Sequence, residues 1–209
     1  MDIIEQLEWR YSTKKFDAAK KLSKEQLDRV LAATRLSASS YGLQPYKILV
    51  VENPAVRERL KAASWGQPQI TDASHLVIFA RVDNFNESHV DEYTNHIAQV
   101  RSINPEDLAS FGAMMKGTVN SLTPEKSAAW TSKQAYLALG TLLTAAAAEG
   151  IDTCPMEGFD ASQYDEILEL KEKGLATVVI AGLGFRQEDD PMQHAIKVRK
   201  PMEKLVELI

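Results

Sequence analysis

Cysteine is nearly absent: Cys154 stands alone among 209 residues, so no intramolecular disulfide can form. No Cys/His cluster has zinc-site spacing, and neither a disulfide scaffold nor a metal site is implied. Basic charge is also short. Lys and Arg number 24 against 29 Asp and Glu, and the net charge of -5 argues against a nucleic-acid partner, which is usually met by basic stripes that displace counterions from phosphate. No run approaches the ~18 apolar residues of a membrane span. The opening Met1-Asp2-Ile3-Ile4-Glu5 lacks the basic start and apolar run of a secretory signal, which makes a cytoplasmic, membrane-free protein the expectation. Missing too are a GxGxxG in a βαβ frame, a P-loop, GxSxG and HExxH, which removes the commonest nucleotide, hydrolase and metal readings. With no repeat, low-complexity segment or linker, residues 1–209 read as a single domain.

What is present is ordinary globular usage, 44% hydrophobic and 25% charged, enough for one sizeable α/β or α+β core. Asp2 followed by Glu5 reads as a helix start, with a short helix ending near Trp9. Ser23-Lys24-Glu25-Gln26 is a capping box opening a second helix to about Leu36, with Leu27, Val30 and Leu31 on one stripe. After the polar loop 37–42, Tyr46–Val51 is rich in β formers and His75–Val82 makes a second strand, with a helix over 54–64 started by Asn53-Pro54. Residues 88–102 and 106–119 read as helices. Pro124 begins a long helix ending before Gly150, apolar enough to be central and buried. Residues 154–158 read as a turn-like link to a helix near 161–170, and Leu175–Leu183 as a strand covered on both faces.

An acidic chain that binds an anion must do so locally. Arg10, Ser12 and Lys14 lie within one loop after the first helix, and an extended Lys197-Val198-Arg199 points both cations to one side. Arginine forks with lysine point charges suit a phosphate, although charge spacing by itself reads more simply as two solvated basic patches. Six segments in register decide between these. Arg10-Tyr11-Ser12-Thr13-Lys14-Lys15-Phe16-Asp17, Ser39-Ser40-Tyr41-Gly42-Leu43-Gln44-Pro45-Tyr46, Asp72-Ala73-Ser74-His75, Lys133-Gln134-Ala135-Tyr136, Pro155-Met156-Glu157-Gly158-Phe159-Asp160 and Lys197-Val198-Arg199-Lys200-Pro201 together resemble the oxygen-insensitive nitroreductases over nearly the whole chain.

The resemblance implies an α+β fold, a central mixed β-sheet flanked by helices, in an intertwined homodimer with FMN at the subunit interface. It implies hydride transfer from NADH or NADPH through flavin N5 to a small nitroaromatic or quinone-like acceptor, by a ping-pong mechanism in which the flavin, not a side chain, is the reactive centre. Arg10, Tyr11, Ser12, Lys14, Lys197 and Arg199 would hold the phosphate and pyrimidine edge. Met156, Glu157 and Gly158 would face the N5 and O4 edge, and Ser39, Ser40 and Gly42 would reach the flavin of the other subunit. Two departures stand out. Tyr41-Gly42 replaces a frequent Thr-Asn, which alters the acceptor side, and Gly66, Gln67 and Gln69 stand where an Asn and a Lys are frequent. One of the two glutamines takes over the flavin-edge amide contact, and the residues leave open which. Phe111 and Met115 fall where such enzymes have a mobile wall over the flavin, and equally read as inward residues of an amphipathic helix. Taken alone, Ser39-Ser40 is a helix-ending turn, Glu157-Gly158 a type II turn, Gln134 a core amide or a support for the flavin site, and Cys154 a small buried hydrophobe. A flavin, quinone or pteridine reductase on the same scaffold, a flavin-binding protein without turnover, and an apo helical interaction domain remain open beside the nitroreductase reading.

Overall fold

The computed structural model describes residues 2–209; Met1, the first residue read for a secretory signal, lies outside them. The caps act as their residue types dictate. Asp2 accepts from Ile4 N to start α1 (Ile3–Trp9), and Ser23 and Gln26 form the reciprocal box that starts α2 (Lys24–Arg35). Asn53 caps α3 (Pro54–Ala62), between β1 (Tyr46–Val51) and the single-turn α4 (Gln69–Asp72) that precedes β2 (His75–Val82). Then come α5 (Glu87–Arg101), α6 (Ala109–Asn120) and α7 (Pro124–Ala148). Gly150, at φ +68, lets Ile151 N reach back to Ala146 O and closes α7.

Residues 154–158, expected as a link, belong largely to a strand, β3 (Asp152–Met156). Its Pro155 hid it. Proline is tolerated because β3 is an edge strand in the order β1-β2-β4-β3, pairing only with β4 (Leu175–Gly184). The helix expected near 161–170 is shorter, α8 (Ala161–Ile167), since the chain turns left-handed at Glu169. All four strands pair antiparallel, and the mixed character expected of the sheet is confined to a parallel bridge between Ser12 and Thr153. A last turn, α9 (Met202–Leu205), sits in an exposed C-terminal segment.

The sheet is covered on both faces, which explains why β2 and β4 are continuous apolar runs rather than alternating ones. Leu76, Ile78 and Ile180 point to the side of α3 and α8, where Leu60, Ile70 and Tyr164 are fully buried. Val77, Phe79 and Val179 point to the side of α2 and α7, against Val30, Leu139 and Leu142. A third cluster, Leu43, Phe85, Val90, Met115 and Val119, joins α5 and α6. The long helix α7 is not buried all round. Gln134, Ala135, Ala138, Leu139 and Leu142 face the core, while Leu137 is 51% exposed and a shallow groove runs along Leu137, Gly140, Thr141, Thr144 and Ala148.

Candidate functional site

Both chain ends meet where α1 stops. The backbone turns extended at Arg10, and the Lys197 ammonium donates to the carbonyls of Leu7 and Arg10, which fastens the C-terminal segment to the end of α1. Burial and then the charge of Arg199 lower the Arg10 pKa, and burial, Arg10 and Arg199 lower that of Lys197. Burial is the larger cause for both, Glu8 pulls Lys197 the other way, and the rest of the depression comes from like charges gathered together. Among the described residues none of Arg10, Lys14, Lys197 and Arg199 forms an ion pair, and the buried Arg10 Nε has no hydrogen-bond partner.

Two carboxylates hold this loop in place, and neither stood out in the sequence. Asp190, fully buried, accepts from Tyr11 Oη at 2.9 Å, Lys14 N at 2.8 Å, Lys15 N at 3.0 Å and Met192 N at 3.0 Å. Burial pushes its carboxyl up, but these donors outweigh burial and hold it below the ordinary carboxylate range; burial and then Asp190 push the Tyr11 hydroxyl well up. The Asp190-Pro191 pair, a helix-cap signature, was the signal available for this hub. Asp152, also buried, accepts from Arg186 Nε at 2.8 Å and Arg186 N at 2.9 Å. The Arg186 guanidinium lies 4.3 Å from the Trp9 ring centroid and 4.5 Å from that of Tyr11, so it packs α1 and the Tyr11 loop onto the sheet edge. No spacing in the sequence announces this contact.

The Ser12 bridge to Thr153 continues the basic loop into β3, where Cys154 is 2% exposed. Burial raises its thiol pKa, against the pull of Lys14 and Arg10, which are distant in sequence and close in space. Cys154 pairs with Gly182, and a Cβ on that glycine would lie 3.6 Å from the Gln69 carbonyl. Gln69 is 8% exposed and its Oε1 is buried without a partner, as is Thr153 Oγ1. Gln67 differs. Its Nε2 donates to Gly158 O at 2.6 Å and Ser64 O at 3.1 Å, so both amide hydrogens are engaged.

Gly158 does not take the positive φ that a type II turn asks of its glycine. Its need for glycine comes from close approach, since a Cβ would sit 3.2 Å from Gln67 Nε2 and 3.3 Å from the Trp65 ring. The adjacent Glu157 carboxylate accepts from Tyr136 Oη on α7, and burial, followed by this carboxylate, raises the Tyr136 hydroxyl to about 12. Met156 is buried behind the turn.

Ser39, Ser40, Tyr41 and Gly42 form a separate wall. Ser40 N donates at 2.8 Å to Oε1 of the buried Gln134, whose Nε2 donates to Trp130 O, so Gln134 is a satisfied amide that braces the loop. Tyr41 takes φ +55, its carbonyl accepts from Tyr93 Oη at 2.8 Å, and its ring lies 6.3 Å from Phe111, edge to face. Phe111 is half-buried, whereas Met115 is fully buried. Met115 packs against Leu43, Phe85, Val90 and Val119 behind the Phe111 ring. Among the described residues this wall makes no hydrogen bond to Arg10, Lys14, Lys197 or Arg199.

The structure thus brings Arg10, Tyr11, Ser12, Lys14, Lys197, Arg199, Gln67, Gln69, Met156, Glu157 and Gly158 around β3, and residues 39–42 share no hydrogen bond with the four cations among the described residues. Chemically, unpaired cations at one end and an unpaired amide with a braced glycine turn at the other suit an elongated ligand carrying an anion and a hydrogen-bonding ring.

Residues 7–185 match the model described as the Nitroreductase family. A Staphylococcus aureus protein provisionally named an NAD(P)H nitroreductase is 36% identical over 220 residues, covering 99% of this chain and 95% of the relative. A Bacillus subtilis structure provisionally called a nitroreductase superposes with a TM-score of 0.88 at 22% identity, covering 99% of this chain and 98% of that one. A structure from Exiguobacterium sibiricum, provisionally called a nitroreductase and solved in complex with FMN, gives 0.84 at 20% identity, covering 100% and 98%.

Proposed function

The chain belongs to the nitroreductase family, and on that premise we propose that it is an FMN-dependent enzyme that takes hydride from NADH or NADPH and passes it to nitroaromatic or quinone-like acceptors by a ping-pong mechanism. The observation that carries the cofactor is the set of unpaired groups beside β3: clustered cations that form no ion pair among the described residues, with Arg10 Nε and Gln69 Oε1 buried and unsatisfied. Buried polar atoms are normally hydrogen-bonded, so such a set fits a ligand with a dianionic phosphate and a polar ring edge. FMN has both, and the FMN bound in the Exiguobacterium neighbour agrees with this choice.

When bound, FMN supplies a ring that accepts hydride at N5 and hands it on, a chemistry no side chain here provides. Arg10, Tyr11, Ser12, Lys14, Lys197 and Arg199 hold its phosphate and pyrimidine edge, where a cation favours the negative charge that reduction places there. Of the two glutamines, Gln69 makes the edge contact, because its Oε1 is free while the amide hydrogens of Gln67 are engaged on Gly158 and Ser64. Gln67 instead positions the Glu157-Gly158 turn, whose main chain would hold the N5 and O4 edge of the flavin. Tyr41 and Phe111, in the same wall as Ser39, Ser40 and Gly42, would bound the acceptor side of the flavin that this wall reaches.

The site is completed by a second copy. Ser39, Ser40 and Gly42 make no hydrogen bond to the cations of their own chain and would reach the partner's flavin in a homodimer. The exposed Leu137 stripe of α7 and the C-terminal segment, where Leu208 is 96% exposed, supply the apolar interface. No helix among the described residues is long and apolar enough to cross a membrane.

Anaerobic mixing with NADPH and then with a quinone tests the reading. Bleaching of the flavin band and its return on adding quinone, with parallel initial-rate lines when the acceptor is varied, are expected. A flavin that stays oxidised marks a binding protein without turnover, and intersecting lines exclude the ping-pong sequence.

A further inference from the structure

A buried guanidinium is normally paired with a carboxylate, because desolvating the charge is otherwise costly. Arg57, only 5% exposed, has no such partner among the described residues. Nε donates to Ile70 O at 2.8 Å, Nη1 to Ser74 O at 3.0 Å and Nη2 to Ala73 O at 2.6 Å, which leaves two of the five N–H groups of an arginine unengaged. Lys21 approaches the same Ala73 carbonyl at 3.5 Å and also lacks an ion pair among the described residues. Burial and then the charge of Arg57 lower the Lys21 pKa, while Asp72 draws on both cations from beyond ion-pair reach.

Both cations line one cavity of about 450 Å³, together with Ser74, Glu52 and Glu58, and none of the residues assigned to the flavin lines it. Glu52 bonds His75 at 3.1 Å, and neither glutamate pairs with Lys21 or Arg57. The cavity therefore presents separated charges, two cations and two carboxylates. A plain dianion would be drawn to the cations and repelled by the glutamates. A molecule with a carboxylate at one end and an ammonium at the other meets both.

We propose that this cavity is a second ligand site, specific for a small amino-acid-like zwitterion whose carboxylate lies between Lys21 and Arg57 and whose ammonium faces Glu52 and Glu58. The site is independent of the flavin reading, and its test leaves that reading untouched. The flavin-loaded protein is titrated calorimetrically with glycine, L-leucine, acetate and inorganic phosphate. Saturable binding of at least one of the two amino acids, one per chain, is expected, with acetate and phosphate weaker by roughly tenfold or more, the scale of one lost charge-assisted bond. Lys21→Met should weaken amino-acid binding by a similar factor, and Glu58→Gln should narrow the gap between amino acid and acetate. Both variants keep Arg57, on which the local fold depends, and both should retain flavin content and NADPH oxidation. Absence of saturable binding by both amino acids overturns the proposal. So does acetate or phosphate binding as tightly as the amino acids, or unchanged binding in Lys21→Met.

Discussion

At the scale of single residues, the site rests on groups of opposite habit: cations left unpaired and carboxylates paired several times over. Arg10 belongs to the first kind. Replacing it with Ala should lower FMN affinity by about 1.5–3 kcal/mol, the range for hydrogen bonds to charged groups. Flavin fluorescence titration of the folded variant checks this, and unchanged affinity removes Arg10 from the site. Asp190 belongs to the second kind. Its carboxyl is held below the ordinary range, so its contribution to stability is fully present above about pH 4, the unfolded value, and is lost as the pH falls through the folded value. Asp190→Asn should therefore melt well below the wild type at pH 7, by about 1–3 kcal/mol, with the deficit shrinking below pH 4. Melting curves across that range decide it; an equal deficit at pH 3 and pH 7 means the charge of Asp190 is not what stabilises the loop.

Elements add constraints that no residue carries alone. The Ser40–Gly42 turn is held from three directions, by Gln134 on α7, by Tyr93 on α5 and by Thr118 on α6, whose Oγ1 lies 3.2 Å from Tyr41 Oη. Gly42 sits at φ +82, and a Cβ there would lie 2.3 Å from Tyr93 Oη. Gly42→Ala should cost about 1–2 kcal/mol from the left-handed backbone alone and more from the clash. Combining it with Tyr93→Ala should recover the steric share and leave the backbone share, which thermal melts of the single and double variants separate. A neutral Gly42→Ala would mean that the turn relaxes freely. β1, β2 and nine of the ten residues of β4 were legible as strands because apolar β formers dominate them, broken only by Lys47, His75, Arg81, Thr177 and Gly182. The five of β3 were not, since Cys154-Pro155 reads as a turn until its place at the sheet edge is known.

For the whole molecule, the apolar surface left open on α7 at Leu137 and along the C-terminal segment at Leu205 and Leu208 is what a second copy would cover. A homodimer burying more than ~2,000 Å² is expected, the lower end for obligate pairs. Light scattering should report twice the 23.2 kDa chain mass. Leu137→Glu, placed on the exposed stripe of α7, should shift the equilibrium toward monomer and release flavin with it, because the wall from the partner is lost. A 23.2 kDa species that retains FMN and turnover would defeat the shared site.

The sequence by itself determined the helix starts at Asp2, Ser23, Asn53 and Pro124, the three apolar strands, and the family, because caps and periodicity are local and six ordered segments are specific. It also named the basic residues of both ends. Only the tertiary structure decided that Asp190 and the Asp152–Arg186 pair hold the Arg10 loop, that Gln67 braces a turn while Gln69 stays free, and that Met115 is sealed. Those outcomes depend on which groups meet across separations such as the 179 residues between Tyr11 and Asp190, and a burial or a hydrogen bond of that kind leaves no periodic trace in the chain.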